Sequence, residues 1–245
     1  MQTEQSTFET FILSTPFSRA DIDPDFPSRL MTWGQATARD LLLPDDGTHF
    51  GYVATGEVCI QSALIPEFTA RAGNYFSLAG KARISNAGGL SSGIVITRLG
   101  YFGFNQVGGP IEEEGRLRYI DGCTDSLLIS PVKAGEACLN LLYFPASVDQ
   151  TWHTHPSVRC GVVSAGSGEC HTDSGVTAWS VGLGFIIGPN TPHKFRTGPG
   201  SSMSVIAYHP DSDFGPTDHD HPMINRTMVD GRSARFIAAI QTRDI

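Results

Sequence analysis

Charge is scarce in this sequence. Only 17% of its 245 residues are charged, and acids outnumber bases 25 to 17, which gives a formal charge of −8. Nucleic acid is therefore not an expected partner, because phosphate binding needs clustered Lys or Arg. Long apolar runs are also missing: no stretch approaches the roughly 20 uninterrupted apolar residues of a membrane helix, and the longest, such as Leu139 to Ala146, have strand length. No membrane association is expected. Cysteine is sparse and unpatterned. Cys59, Cys123, Cys138, Cys160 and Cys170 form an odd set without CxxC spacing, which argues against a disulfide framework or a zinc finger and leaves small buried or half-buried thiols. The N-terminal stretch MQTEQSTFETFILSTPFSRADIDPDF has no basic start and no long apolar centre. Neither a secretory nor an organelle-targeting signal is expected, and a cytoplasmic location follows.

Glycine (27) and proline (15) are abundant and punctuate the chain at short intervals. Between them lie runs such as GYVATGEVCIQSALI, SGIVITRLGYFGF, ACLNLLYFP, CGVVSAG, LGFIIG and MSVIAYHP. These are rich in Val, Ile, Phe and Tyr with partial period-2 alternation, the pattern of strands joined by tight turns. An all-β sandwich or barrel is the expected class. Two helical segments are expected, residues 27 to 43 and a short one from Ser233 to Ile240. An internal echo links the halves: YVATGEVCI around Gly56 parallels VVSAGSGEC around Gly166, and AGNYFSLAG parallels VGLGFIIGP. Two related barrels, or one barrel and a decayed copy, are expected over residues 1–100 and 101–245; chance likeness between glycine-rich strands is the alternative. The Glu112 to Glu114 run between them reads as a solvated turn.

His153 and His155, in QTWHTHP, are two residues apart. On a strand they point to one side, about 7 Å apart along the chain, and can converge on one ion. Glycine turns at Gly166 and Gly182 follow, and then His193 at the end of LGFIIGPNTPHKF.

Here the chain resembles the cupin superfamily, whose first motif is G-x5-H-x-H-x3,4-E-x6-G and whose second is G-x5-P-x-G-x2-H-x3-N. The first motif keeps His153, His155 and Gly166, with Ser147 in place of its opening glycine and Arg159 in place of its glutamate. The second keeps Gly182 and His193, with Gly188, Asn190 and Thr197 replacing its proline, inner glycine and closing asparagine. Asn190 is a mild change, because Asn tolerates the left-handed backbone such a turn requires. The resemblance covers residues 145 to 210 well and residues 35 to 90 only through the echo. It implies a double-stranded β-helix, or jelly-roll, barrel in which His153, His155 and His193 bind one divalent metal ion, Fe(II) first, with Zn, Ni, Mn or Cu as alternatives.

Arg159 departs from that pattern, since a cation cannot ligate a metal. It either faces the pocket and holds an anionic substrate group, or turns aside to an internal acid such as Glu169, or marks a barrel that has lost its metal. In the first half the same alignment puts Leu43 and Asp45 where His153 and His155 stand, and Ile84 near the place of His193. Only His49, opposite Arg159, is suggestive, and one histidine makes no site, so that half is expected to be structural. His171 is a candidate proton-transfer group or fourth ligand, with an outward-facing strand histidine as the alternative. Gln150 and Tyr119 are further cavity candidates. His209, His219 and His221 lie in one Pro- and Asp-rich segment, where the HDH spacing of His219 and His221, with Asp218 and Asp220, gives either a second metal site or a solvated loop.

Three protein ligands leave up to three positions on an octahedral ion for substrate and O2, the layout of the family's three-His dioxygenases. The resemblance thus implies a metal-dependent oxidoreductase acting on a small anionic or chelating molecule, with Arg159 as anchor. A non-redox ion would instead give an isomerase or lyase, and a non-enzymatic binder or sensor is the competing class. A homodimer is the expected assembly.

Overall fold

The computed structural model describes residues 8–34, 40–87, 89–217, 221 and 223–242. Strands dominate. The first half contributes β1 (Phe8–Ile12), β2 (Ser18–Arg19), β3 (Ser28–Trp33), β4 (Leu41–Leu43), β5 (Gly47–Thr55), β6 (Glu57–Ser62), β7 (Phe68–Arg71), β8 (Tyr75–Ala79), β9 (Ala82–Asn86) and β10 (Ser92–Leu99). The second contributes β11 (Gln106–Gly108), β12 (Leu117–Arg118), β13 (Thr124–Ile129), β14 (Cys138–Phe144), β15 (Arg159–Thr172), β16 (Gly175–Ser180), β17 (Leu183–Ile187), β18 (His193–Arg196) and β19 (Met203–His209).

The two halves repeat one strand order. A six-stranded sheet runs β11-β8-β5-β10-β3-β2, and the large sheet of the second half runs β1-β17-β15-β19-β14-β13-β12. Facing them are the sheet β4-β9-β6-β7 and, in the second half, the far end of β15 flanked by β16 and β18. Each half also lends its first strand to the other. β1 pairs with β17, and Leu13 N donates to Gly182 O (2.9 Å); β11 pairs with β8, and Ile111 N donates to Gly73 O (3.1 Å). The turns that the echo singled out are equivalent too. Gly56 has φ +70° and Gly166 φ +68°, and a Cβ would lie 2.1 Å from Leu90 O at the first and 1.9 Å from Ser202 O at the second. Only glycine accepts both the left-handed backbone and that closeness.

Strand alternation sorts the apolar side chains into three cores. On β10, Val95 points into the core between the two sheets of the first half, with Trp33, Val58 and Phe76. Its neighbours Ile94 and Ile96 point the other way, into a core shared with Leu139, Val162, Ile206 and Tyr208, where the large sheets of the two halves pack back to back. On β19, Val205 and Ala207 face the third core, with Phe144, Trp179, Phe185 and Phe195. Each fully buried side chain of this kind contributes about 1.5–3 kcal/mol. The middle core thus buries side chains of both halves against one another.

Among the described residues of the span 27 to 43, the expected helix does not form. Residues 28–33 and 41–43 are strands, and β3 pairs along its length with β10, so tertiary pairing overrides the loose helical spacing. Near the C-terminus, the expected short helix is two 3₁₀ turns, Ala234–Phe236 and Ala238–Ile240. Among the described residues no helix is long and apolar enough to cross a membrane. All five cysteines are unpaired, four of them buried.

Candidate metal centre

The segment carrying His153 and His155 is not the regular strand that its pattern suggests. Between Pro145 and Pro156 the chain lies as an extended lip along β18, held by hydrogen bonds at every third residue: Ser147 N to Gly198 O, Gln150 N to Phe195 O, and His153 N to His193 O (3.0 Å each). His193 N returns the bond to His153 O (3.0 Å), an isolated bridge that places the two side chains opposite each other. His155 O accepts from Asn190 N (2.7 Å), which ties the lip to the turn before β18. Ser147 (φ +65°) and Asn190 (φ +55°) both adopt the left-handed conformation at the two ends of this lip.

His153, His155 and His193 come together at the mouth of the second half. Their ring centroids lie 4.5 to 5.3 Å apart, and one nitrogen of each lies within 4.8 Å of the others. His153 Nδ1 bonds Thr151 O (2.8 Å) and His193 Nδ1 bonds Thr191 O (2.9 Å). A carbonyl only accepts, so each ring carries its proton on Nδ1 and leaves the Nε2 lone pair free. Burial pushes the His155 pKa down to about 2, helped by Arg159 and the two other imidazoles, and that of His193 to about 4, partly offset by its carbonyl partner. The His155 and His193 imidazoles are thus held neutral, as ligation requires. Metal–nitrogen bonds of about 2.1 Å place ligand nitrogens roughly 3.0–3.4 Å apart. Small ring rotations close that gap, so the donor set fits a divalent ion.

Arg159 opens β15 with a side chain only 12% exposed and lines the same cavity. Its internal acid is Asp211 (3.4 Å), not Glu169. Nη1 also donates to Ser157 O (3.3 Å), Ser157 Oγ (2.6 Å) and Val158 O (3.0 Å), while Nε is buried without a partner. Glu169 is bound instead to His171 Nε2 (2.9 Å). These two residues sit on the opposite face of β15 from the buried Cys170, outside the cavity lining, so the proton-transfer or ligand role expected of His171 has no geometric basis. Gln150 and Tyr119 do line the cavity.

Sequence reading missed Asp211 here and gave His209 no place in this cavity. His209 ends β19 and extends the inward series Val205, Ala207, while Ile206 and Tyr208 face the middle core. The period-2 pattern carried that signal, but His209 was read with the polar loop that follows. Burial, then Arg159 and His155, hold its pKa well below the usual imidazole value. Leu142, Phe144, Phe185, Ile187 and Phe195 supply the apolar lining of a cavity of about 420 Å³, its open mouth included. Asp218, His219 and Asp220, the core of the suggested second site, lie outside the described residues.

No protein-family model matches the sequence, and no curated protein matches it. Solved structures do match the fold. A cupin 2 conserved barrel domain protein from Leptotrichia buccalis aligns at a TM-score of 0.56 and 14% identity, over 86% of this chain and 92% of its own. The salicylate 1,2-dioxygenase of Pseudaminobacter salicylatoxidans aligns at 0.62 and 8%, over 84% of each chain. Bacillus subtilis oxalate decarboxylase, described with Mn(II) centres, aligns at 0.53 and 9%, over 87% of this chain and 80% of its own. At these identities the likeness speaks for architecture alone, and with the strand order and sheet pairing above it identifies this chain as an all-β protein of the cupin fold.

Proposed function

We propose that this chain is a metal-dependent cupin oxidoreductase of dioxygenase type, with His153, His155 and His193 holding one divalent ion, Fe(II) first, and a small anionic or chelating organic molecule as substrate. The observation that carries this reading is the convergence of three imidazoles at one cavity mouth, two with Nδ1 fixed on backbone carbonyls. Imidazole sets of this kind suit Fe, Zn, Cu and Ni. A bound Fe(II) would supply the redox chemistry, and three protein ligands leave coordination positions open.

The surrounding residues bind and orient. Arg159 replaces a fourth ligand with a cation, so the partner it favours on the cavity side is anionic. Phe144, Phe185 and Phe195 exclude water from the inner end and strengthen each charge interaction there. Two structural neighbours, named as a salicylate dioxygenase and an oxalate decarboxylase, support a small acid as substrate. The reading also takes the chain as two tandem cupin barrels, of which only the second keeps a site; the repeated strand order supports this.

Oxygen uptake by Fe(II)-loaded protein, followed across small acids, thiols and diketones, tests the enzyme reading. Substrate-dependent uptake that disappears in His155→Ala is expected. Binding of such compounds without any turnover across the set would overturn it in favour of a binding protein.

A further inference from the structure

We propose that the cavity beneath the triad takes a small organic monocarboxylate with a compact apolar body, and that Arg159 and His209 hold its carboxylate. This rests on the reading above, since it names the substrate class of the same site.

The first support is the half-satisfied guanidinium. All protein hydrogen bonds of Arg159 leave from Nη1, whereas the buried Nε has none. Leaving a buried donor unpaired is unfavourable, and a planar carboxylate bridging the Nε edge satisfies it with two parallel bonds.

The second support is His209. Cys160 pairs with Tyr208 across the sheet, so Arg159 and His209 stand side by side on neighbouring strands, both facing the cavity. Among the described residues no hydrogen bond holds the His209 imidazole, and it takes no part in the metal-ligating group. A neutral imidazole there offers one N–H to the carboxylate oxygen that Arg159 leaves free.

Charge and shape complete the case. Asp211 already offsets part of the Arg159 charge, so one negative charge suits the site better than two. Leu142, Phe144, Phe185 and Ile187 form the apolar part of the lining and pack against an apolar body, and the Gln150 amide beside them is already bonded to Cys123 Sγ and Phe195 N. Occupancy is a competition: the ligand carboxylate takes over the guanidinium that Asp211 otherwise shares.

Calorimetric titration of the full-length protein, metal-loaded and chelator-treated, tests this with isobutyrate and benzoate against isobutyramide and benzamide. The acids should bind at least about 10-fold tighter than the amides and than acetate, which lacks the apolar body. Arg159→Met should weaken the acids about 30-fold or more, and His209→Phe about 5- to 10-fold, with the amides unaffected. Asp211→Asn removes the internal competitor and should tighten acid binding several-fold, a gain that a damaged fold does not produce. Equal affinity for acids and amides, no acid binding by metal-loaded protein, or unchanged acid affinity in both Arg159→Met and Asp211→Asn overturns the proposal. Acetate binding as well as isobutyrate overturns the apolar-body part. Acid binding with these dependences in protein that takes up no metal leaves the carboxylate subsite standing and removes the metal reading instead.

Discussion

The two halves of this protein are built on one strand order but carry different side chains at the equivalent wall positions. Leu43 pairs with Ala82 where His153 pairs with His193. Register thus puts Ala82, two residues from the expected Ile84, in the place of His193. His49 stands where Arg159 stands, but its ring is satisfied internally, by Thr97 Oγ1 (2.8 Å) and Pro44 O (3.0 Å). Asp45, in the place of His155, is exposed. Equivalent backbone positions thus carry three converging imidazoles in the second half and no such group in the first, among the described residues.

The largest expected effect tests whether the halves can be compared as parts of one body. Leu141→Ala, in the middle core, should cost about 2–5 kcal/mol and lower a single unfolding transition. Two separated transitions in calorimetry would show that the halves fold independently.

Acid should next distinguish the walls. In metal-free protein, burial holds His155 and His193 neutral, so below the unfolded value near 6.5 the unfolded chain binds more protons and stability falls with pH. From the shift of His193, the loss between pH 7 and pH 4 is about 2–4 kcal/mol. The double substitution His155→Leu, His193→Leu, which makes this wall resemble the first half, should flatten the dependence of melting temperature on pH. An unchanged slope would place the acid sensitivity elsewhere.

The glycine turns should respond alike. Gly56→Ala and Gly166→Ala each force a left-handed Cβ onto a backbone carbonyl and should destabilise by about 1–3 kcal/mol. A cost at only one of them, in denaturant titrations, would break the structural equivalence. The smallest effect is on the outer face, where His171→Ala should change stability by less than about 0.5 kcal/mol and leave metal content unaltered.

Much of this was legible because local rules carried it. Alternation of Val, Ile and Phe between glycine turns gave the all-β class, and fixed spacing marked His153, His155 and His193. Residues 28–33 were misread because pairing with β10, some 60 residues further along the chain, decides their conformation. Arg159 stood out as an anomaly, but its partner Asp211 lies about 50 residues away in a loop that no local pattern connects to it. Long-range pairing of this kind is set by the folded sheet and leaves no trace in spacing.

Metal content tests the central claim most directly. After anaerobic loading with Fe(II) and removal of free ion, the protein should carry one ion per chain, and His155→Ala should carry none while keeping its fold by circular dichroism. Protein that retains no stoichiometric ion, or a His155→Ala variant that still holds one, would contradict a single three-histidine site in the second half.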